Sequence, residues 1–249
     1  MKKLVFTLIA LFATFAAFSQ AEADTSKFAQ FNSRFAYKTF THESITLPYR
    51  QTDIHAEASC KSALVIYLHG SSAKGNDNIS QLKTSAIRSI IKYLENSNTK
   101  ATIVVPQCSK GHSWNESDSK TSTAVKKLID ELLAANPSLD SKKVYIFGSS
   151  TGGAGVWRMI SDYPGTFAAA MIVAAYPWNV YPAYLAKTPL CCVVGTKDKN
   201  ASKSKVMPTI KEMQKREGKV NFVELKGLDH PSTCRDAYTD ENIKWVFNN

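Results

Sequence analysis

Beyond residue 18, the sequence lacks any apolar run long enough to span a bilayer, and none of its five cysteines forms a CxxC pair. Histidine and carboxylate residues do not recur at the spacing of metal ligands, and the lysines are scattered rather than interleaved with aromatic residues. These absences argue against a metal-dependent deacetylase and a nucleic-acid groove. We therefore expect no metal, no cofactor, no nucleic-acid partner and no stable membrane anchor.

The amino terminus differs in composition from the rest of the chain. Residues 1–3 supply positive charge, residues 4–18 are almost wholly apolar, and small residues follow. This layout is typical of a secretory signal peptide, and an apolar run of about fifteen residues is short for a hydrocarbon core of ~30 Å. We predict a signal peptide at residues 1–19, with cleavage after Ser19 or Ala23, and a secreted or periplasmic protein.

The remaining residues, 24–249, have the length and apolar content of one catalytic domain. Short apolar runs that suit strands buried on both faces alternate with helical stretches, after two β-rich segments at Arg34–His42 and Ser44–Arg50. Alternation of this kind predicts the α/β class, with a doubly wound, mostly parallel sheet and helices on both faces. The predicted strands are Ala63–Leu68, Ala101–Val105, Val144–Phe147, Ala168–Ala175, Leu190–Val194 and Val220–Leu225, and the predicted helices are Asn78–Asn96, Thr121–Ala135, Gly153–Asp162, Lys203–Glu217 and Thr239–Phe247.

One pentapeptide has the pattern G-x-S-x-G. Residues 148–152 read Gly-Ser-Ser-Thr-Gly, directly after the predicted strand Val144–Phe147 and before a predicted helix. This context indicates a nucleophile elbow, a tight strand-to-helix turn in which flanking glycines avoid steric collisions. Ser150 is therefore the predicted nucleophile, and the amino terminus of the following helix would favour the negative charge that develops there.

A serine nucleophile requires a base, which is usually a histidine held by a carboxylate. His230 follows the last predicted strand and precedes the C-terminal helix, which is the expected place for the base in the order Ser, acid, His. Asp198 follows the strand Leu190–Val194 and is the predicted acid. Asp229 and Asp236, which lie close to His230 in sequence, are alternatives.

Acyl transfer also needs N–H donors where the carbonyl oxygen becomes an oxyanion. The predicted donors are the backbone N–H groups of Thr151, which follows the nucleophile, and Ser71, in the loop after the first long strand. His69 is expected to brace that loop rather than to take part in chemistry. The aromatic residues predicted to contact substrate are Trp114, Trp178 and Tyr176, and a disulfide between Cys108 and Cys234 is left open.

The ordered set of these motifs resembles one branch of the α/β-hydrolases, the secreted esterases and "predicted peptidases" that include polyhydroxybutyrate-depolymerase-like and feruloyl or acetylxylan esterase-like enzymes. The resemblance extends over most of residues 63–247 and implies an α/β-hydrolase fold without a large lid. The sequence departs from the branch at Ser71-Ser72 and around His230, which affects the expected pocket shape more than the triad. The matching motifs are Tyr67-Leu68-His69-Gly70, Gly75-Asn76-Asp77-Asn78, Pro106-Gln107-Cys108 with Trp114, Gly148–Gly153, Asp198 and His230.

These features predict an exported serine carboxylic-ester hydrolase that acts through an acyl-enzyme. Acyl or feruloyl esters carried on polysaccharides are the expected substrates, because the short connection of about fifteen residues between Ala175 and Leu190 would leave the site open. A serine peptidase with the same triad is the alternative, although the sequence shows no clear acidic pair to capture a peptide amino terminus. A non-catalytic binding module on this fold is a further alternative, and the oligomeric state is left open.

Overall fold

The computed structural model describes residues 25–55 and 61–249. The contacts divide the chain into two units, Met1–Ala36 and Tyr37–Asn249, and the second unit contains every predicted site residue. The predicted signal peptide and Cys60 lie outside the described residues.

In the first unit, residues 25–33 form helix α1. The aromatic rings of Phe31 and Phe35 lie 5.3 Å apart within this unit. Across the described part of the chain, no helix combines the length and the apolar character needed to cross a membrane.

An eight-stranded sheet forms the centre of the second unit, with the strand order β1-β2-β4-β3-β5-β6-β7-β8. Strand β2 pairs antiparallel with β4, and the strands from β4 to β8 are parallel to one another. This arrangement confirms the predicted doubly wound, mostly parallel sheet. The strands are β1 Ala36–His42, β2 Ile45–Ile54, β3 Ser62–Leu68, β4 Ala101–Pro106, β5 Leu139–Ser149, β6 Ala169–Val173, β7 Leu190–Gly195 and β8 Val220–Leu225.

The helices connect these strands and cover both faces of the sheet. Ile146 of β5 belongs to the same apolar cluster as Val156, whereas its neighbours Tyr145 and Phe147 lie 4.6 and 5.9 Å from the ring of Phe247. Successive strand residues therefore contact helices on opposite faces. The helices are α2 Ser85–Asn96, α3 Lys120–Ala135, α4 Thr151–Asp162, α5 Pro182–Leu185, α6 Lys203–Gln214, α7 His230–Asp236 and α8 Asp240–Phe247.

The predicted helix Asn78–Asn96 is divided in the structure. Asn78 has φ 52°, a left-handed conformation that an α-helix does not accommodate. A 3-10 turn at Ser80–Leu82 follows, and α2 then starts after Thr84, whose hydroxyl accepts the N–H of Ala86. Helices α5 and α7, which were not predicted from the sequence, are short: α5 lies in the connection between β6 and β7, and α7 begins at His230.

Candidate active site

Ser150 lies at the turn between β5 and α4, where the backbone leaves no room for side chains at the flanking glycines. A Cβ atom on Gly152 would lie 1.9 Å from the Leu68 carbonyl oxygen, and one on Gly148 would lie 2.4 Å from the Gly152 oxygen. Ser150 itself has φ 53° and ψ −122°, an uncommon conformation for a residue with a side chain. The turn therefore has the strained geometry of a nucleophile elbow.

The structure brings Ser150, His230 and Asp198 together in one chain of hydrogen bonds. His230 Nε2 lies 2.9 Å from Ser150 Oγ, and His230 Nδ1 lies 2.8 Å from Asp198 Oδ2. The buried Asp198 side chain also accepts the N–H groups of Asn200 and Ala201 at its other oxygen, at 2.8 and 3.0 Å. An ionised carboxylate can only accept a hydrogen bond, so His230 Nδ1 carries the proton and donates a hydrogen bond to Asp198. His230 Nε2 is then free to accept a hydrogen bond from the serine hydroxyl.

The two alternative carboxylates have other partners. Asp229 caps helix α7 by accepting the N–H of Ser232 at 3.0 Å, and Asp236 forms two hydrogen bonds with Arg235, at 2.7 and 2.8 Å. Asp198 is therefore the carboxylate that contacts His230. The capping position of Asp229 explains why a residue adjacent to the histidine does not reach its ring.

Close backbone packing positions the acid relative to the histidine. A Cβ atom on Gly195, at the end of β7, would lie 2.1 Å from Thr233 Oγ1 and 2.4 Å from the Leu228 oxygen. The N–H of Lys197 also donates to the Leu228 oxygen at 2.9 Å. Helix α7 therefore lies directly against the loop that carries Asp198.

Both predicted oxyanion donors lie next to Ser150. Thr151 is the first residue of α4, and Ser71 is the first residue of a 3-10 turn, so neither N–H group has an acceptor within its own helical segment. A Cβ atom on Gly70 would lie 3.5 Å from Ser150 Cβ, which places the loop after β3 against the nucleophile. These positions are compatible with the predicted role.

His69 holds this loop from inside the protein. Its side chain is buried, donates from Nδ1 to the Gly70 oxygen at 2.7 Å and accepts the Cys108 N–H at Nε2 at 3.0 Å. Burial lowers the pKa of His69 to about 4, with a smaller contribution from the nearby Lys74 ammonium. The neutral imidazole therefore acts as a brace, in agreement with the sequence analysis.

A side-chain network that the sequence analysis did not describe braces the far end of the same loop. Gln107 donates to Asp77 Oδ1 at 2.7 Å and to the Ala73 oxygen at 3.1 Å, and it accepts the N–H of Asn78 at 2.7 Å. The motif residues around Asp77 and Gln107 therefore meet in the fold. Their shared contribution is to fix the loop that carries Ser71.

Trp114 does not lie where a substrate could contact it. Its side chain is 1% exposed, its Nε1 donates to the His69 oxygen at 2.9 Å, and its Cβ would lie 2.4 Å from a Cβ atom on Gly155. The expectation of substrate contact is therefore corrected, because Trp114 packs beneath the loop. Gly155, which follows the elbow and permits this close approach, was the sequence signal that a bulky side chain packs there.

Two clefts meet at the nucleophile, and both include Ser150 and His230 in their walls. The first, here called the aromatic cleft, has a volume of about 480 Å³ and contains Tyr176 and Trp178, as expected from the sequence. The second, here called the hydroxyl cleft, has a volume of about 570 Å³. Its hydroxyl-bearing walls come from Tyr67, Ser71, Ser72, Ser80, Thr84 and Ser149.

The cysteines of the described residues are all unpaired, so the disulfide considered between Cys108 and Cys234 is absent. Cys108 is buried, and its thiol donates to the adjacent Ser109 oxygen. Burial raises the pKa of both thiols to about 12, which keeps them protonated and poorly nucleophilic.

No protein-family model matches the chain, and no curated protein matches it significantly. Among solved structures, a thermostable esterase is 25% identical with a TM-score of 0.79, covering 87% of this chain and 63% of its own. A feruloyl esterase module from Clostridium thermocellum complexed with sinapinate is 13% identical with a TM-score of 0.66, covering 86% of this chain and 88% of its own.

An acylaminoacyl peptidase from Pyrococcus horikoshii is also similar, at 13% identity and a TM-score of 0.65, covering 85% of this chain but 40% of its own. The chain therefore spans less than two thirds of the esterase and less than half of this peptidase. The structural neighbours include both esterases and peptidases. Together with the strand order and the strand-to-helix turn at Ser150, they show that the chain has the α/β-hydrolase fold.

Proposed function

We propose that this protein is a serine hydrolase that cleaves carboxylic esters through an acyl-enzyme on Ser150. The observation that carries the proposal is the hydrogen-bonded chain from Ser150 through His230 to the buried Asp198. A nucleophile, a base and an orienting acid in this arrangement are the side chains that acyl transfer through a covalent serine intermediate requires.

In the first half of the reaction, Ser150 Oγ attacks the ester carbonyl while His230 Nε2 takes the hydroxyl proton. Asp198 stabilises the resulting imidazolium, and the N–H groups of Thr151 and Ser71 donate to the oxyanion. His230 then returns the proton to the leaving alcohol. A water molecule activated by the same histidine hydrolyses the acyl-enzyme and frees Ser150.

The site is open to solvent, which supports a substrate carried on a bulky molecule. The connection between β6 and β7 contains only the four-residue helix α5 as regular structure, which is too little to form a large lid. Four large aromatic side chains in this connection are exposed, and we call residues 176–184 the exposed aromatic segment. They are Tyr176 at 43%, Trp178 at 57%, Tyr181 at 62% and Tyr184 at 46% exposure.

Exposed aromatic faces can stack on phenolic acyl groups and on sugar rings. Acyl or feruloyl esters on polysaccharides are accordingly the proposed substrates, and export through the signal peptide predicted at residues 1–19 would bring the enzyme to such polymers. The similarity to a feruloyl esterase module supports this choice.

A serine peptidase is the second candidate, because peptidases are among the structural neighbours. Capture of a peptide amino terminus would require carboxylates beside the nucleophile. Among the described residues, neither the aromatic cleft nor the hydroxyl cleft has an aspartate or glutamate in its wall. A peptidase that holds a free amino terminus is therefore less well supported than ester hydrolysis.

The proposal is tested by assaying wild type and Ser150→Ala on nitrophenyl acetate, methyl ferulate, acetylated xylan and an aminoacyl anilide. Removal of the nucleophile should lower kcat for the preferred ester by about 10⁶-fold. Ser149→Ala is a matched control, because it removes a neighbouring hydroxyl that does not contact His230. Preference for the anilide would favour the peptidase, and an inert wild type or an active Ser150→Ala would contradict the proposed mechanism.

A further inference from the structure

Among the described residues, the wall of the aromatic cleft contains one lysine, Lys205, and no arginine, aspartate or glutamate. Lys205 lies in the first turn of α6, next to the loop that carries Asp198. The other residues of the wall are small, aromatic or uncharged, apart from the histidine of the triad. Lys205 therefore supplies the positive charge in the wall of this cleft.

The Lys205 ammonium is held by neutral groups. It donates to the Asn200 oxygen at 2.9 Å and to the Lys199 oxygen at 3.3 Å, and it lies 5.1 Å from the centre of the Tyr176 ring. None of these contacts neutralises its charge. A positive charge next to an aromatic face is therefore presented to whatever enters the cleft.

The surroundings strengthen this positive potential. The segment from Lys197 to Lys205 contains four lysines and one carboxylate, that of Asp198, which is buried and already bonded to His230. Lys203 points instead to Glu224, at 2.9 Å. Of these lysines, Lys205 lies in the wall of the aromatic cleft, where its charge would attract anions.

We infer that the aromatic cleft is a binding subsite for an anionic group, and that Lys205 selects esters that carry a carboxylate near the scissile bond. Substrates of this class include aromatic and sugar esters with a free carboxylate, whose ring would stack on Tyr176 or Trp178. This inference rests on the proposed ester hydrolysis at Ser150. It adds a charge preference that the triad alone does not provide.

The test compares two matched pairs of esters. Phenyl acetate and 4-carboxyphenyl acetate place the carboxylate on the alcohol half, whereas methyl cinnamate and methyl 4-carboxycinnamate place it on the acyl half. For each pair, the measured quantity is kcat/KM for the anionic ester divided by kcat/KM for the neutral ester. Differences in intrinsic reactivity between the esters cancel when this ratio is compared among variants.

Lys205→Met should lower the ratio about fivefold for one pair, near the upper end of what an exposed charge pair contributes. Lys205→Arg should retain the ratio, because it keeps the charge. Lys203→Met is the matched control, since it removes the same charge two residues away without altering the cleft. Raising the ionic strength from about 0.1 to about 1 M should weaken the wild-type preference, because the Debye length falls from ~10 to ~3 Å.

An equal ratio in Lys205→Met and Lys203→Met for both pairs would overturn the inference while leaving ester hydrolysis intact. If no ester is cleaved, the proposed function fails, and binding decides the inference separately. In that case, NMR titration of the Ser150→Ala protein with 4-carboxyphenyl acetate and phenyl acetate should show tighter binding of the anion. The double variant Ser150→Ala, Lys205→Met should bind both esters equally well. If it still binds the anionic ester more tightly, the inference is also overturned.

Discussion

The two sides of the nucleophile are built differently. On one side, His69, Gly152 and Asp198 form what we call the buried half of the site, where atoms are in close contact and the side chains of His69 and Asp198 are hydrogen-bonded. On the other side, the exposed aromatic segment presents side chains such as Trp178 to solvent. The triad is thus held at positions that tolerate little change, whereas the recognition proposed above would use side chains that can change without disturbing the fold.

The largest effect is expected in the buried half, for Asp198→Asn. An amide cannot stabilise the imidazolium and favours the wrong histidine tautomer, so kcat should fall about 10⁴-fold on nitrophenyl acetate. Asp229→Asn is the control, because it changes the neighbouring helix cap and should alter kcat less than about tenfold. If the two variants lose similar activity, Asp198 is not the orienting acid.

Gly152→Ala tests how strictly the elbow depends on backbone contact. The new methyl group would lie 1.9 Å from the Leu68 oxygen, so the turn or β3 must move. We expect a loss of about 3 kcal/mol or more in the free energy of unfolding, measured by urea titration. Gly111→Ala should change stability by less than about 0.5 kcal/mol, because no atom lies within 4 Å of its new Cβ. Similar values for the two variants would contradict the close backbone contact at the elbow.

The buried half should also be sensitive to acid through His69. Its pKa is about 4 in the folded protein, against about 6.5 in the unfolded chain, so the unfolded state binds more protons between these values. The stability contributed by His69 is therefore complete above pH 6.5 and lost as the pH falls towards 4, by about 3 kcal/mol in total.

His69→Gln isolates this contribution. The variant should be less stable than wild type at pH 7, because it loses hydrogen bonds to the loop, but it should lose less stability than wild type between pH 7 and pH 4. Urea titrations of both proteins at several pH values measure the difference, and other ionisable groups contribute equally to both. Parallel pH profiles would show that His69 is not held neutral by burial.

The smallest effect is expected in the exposed aromatic segment. Trp178→Ala should raise KM for a polymer-borne ester about three- to tenfold, the loss of one aromatic contact, with stability changed by less than about 0.5 kcal/mol. Tyr37→Ala is the matched control, because Tyr37 is equally exposed at 57% and lies in neither cleft. An unchanged KM for Trp178→Ala would show that Trp178 does not contribute to binding of the polymer.

Local patterns in the sequence were sufficient to locate the elements that carry the site. The strand Val220–Leu225 has the predicted bounds, and β7 extends the predicted Leu190–Val194 by one residue. The apolar run of β7 is a reliable signal because every residue of this strand is buried, and parallel strands buried on both faces require apolar residues at every position. The division of Asn78–Asn96 was missed, because the left-handed conformation of Asn78 depends on contacts with Gln107 and β2.

Sequence patterns alone establish that Ser150, Asp198 and His230 follow strands, because strand propensity and turn composition act over a few residues. The folded arrangement was needed to decide which carboxylate meets the histidine, which tryptophan is exposed and that Cys108 and Cys234 stay unpaired. These outcomes depend on contacts between distant segments: His230 lies 32 residues from Asp198 and 80 from Ser150 along the chain. Sheet order and helix packing, rather than local pattern, bring such residues within hydrogen-bonding distance.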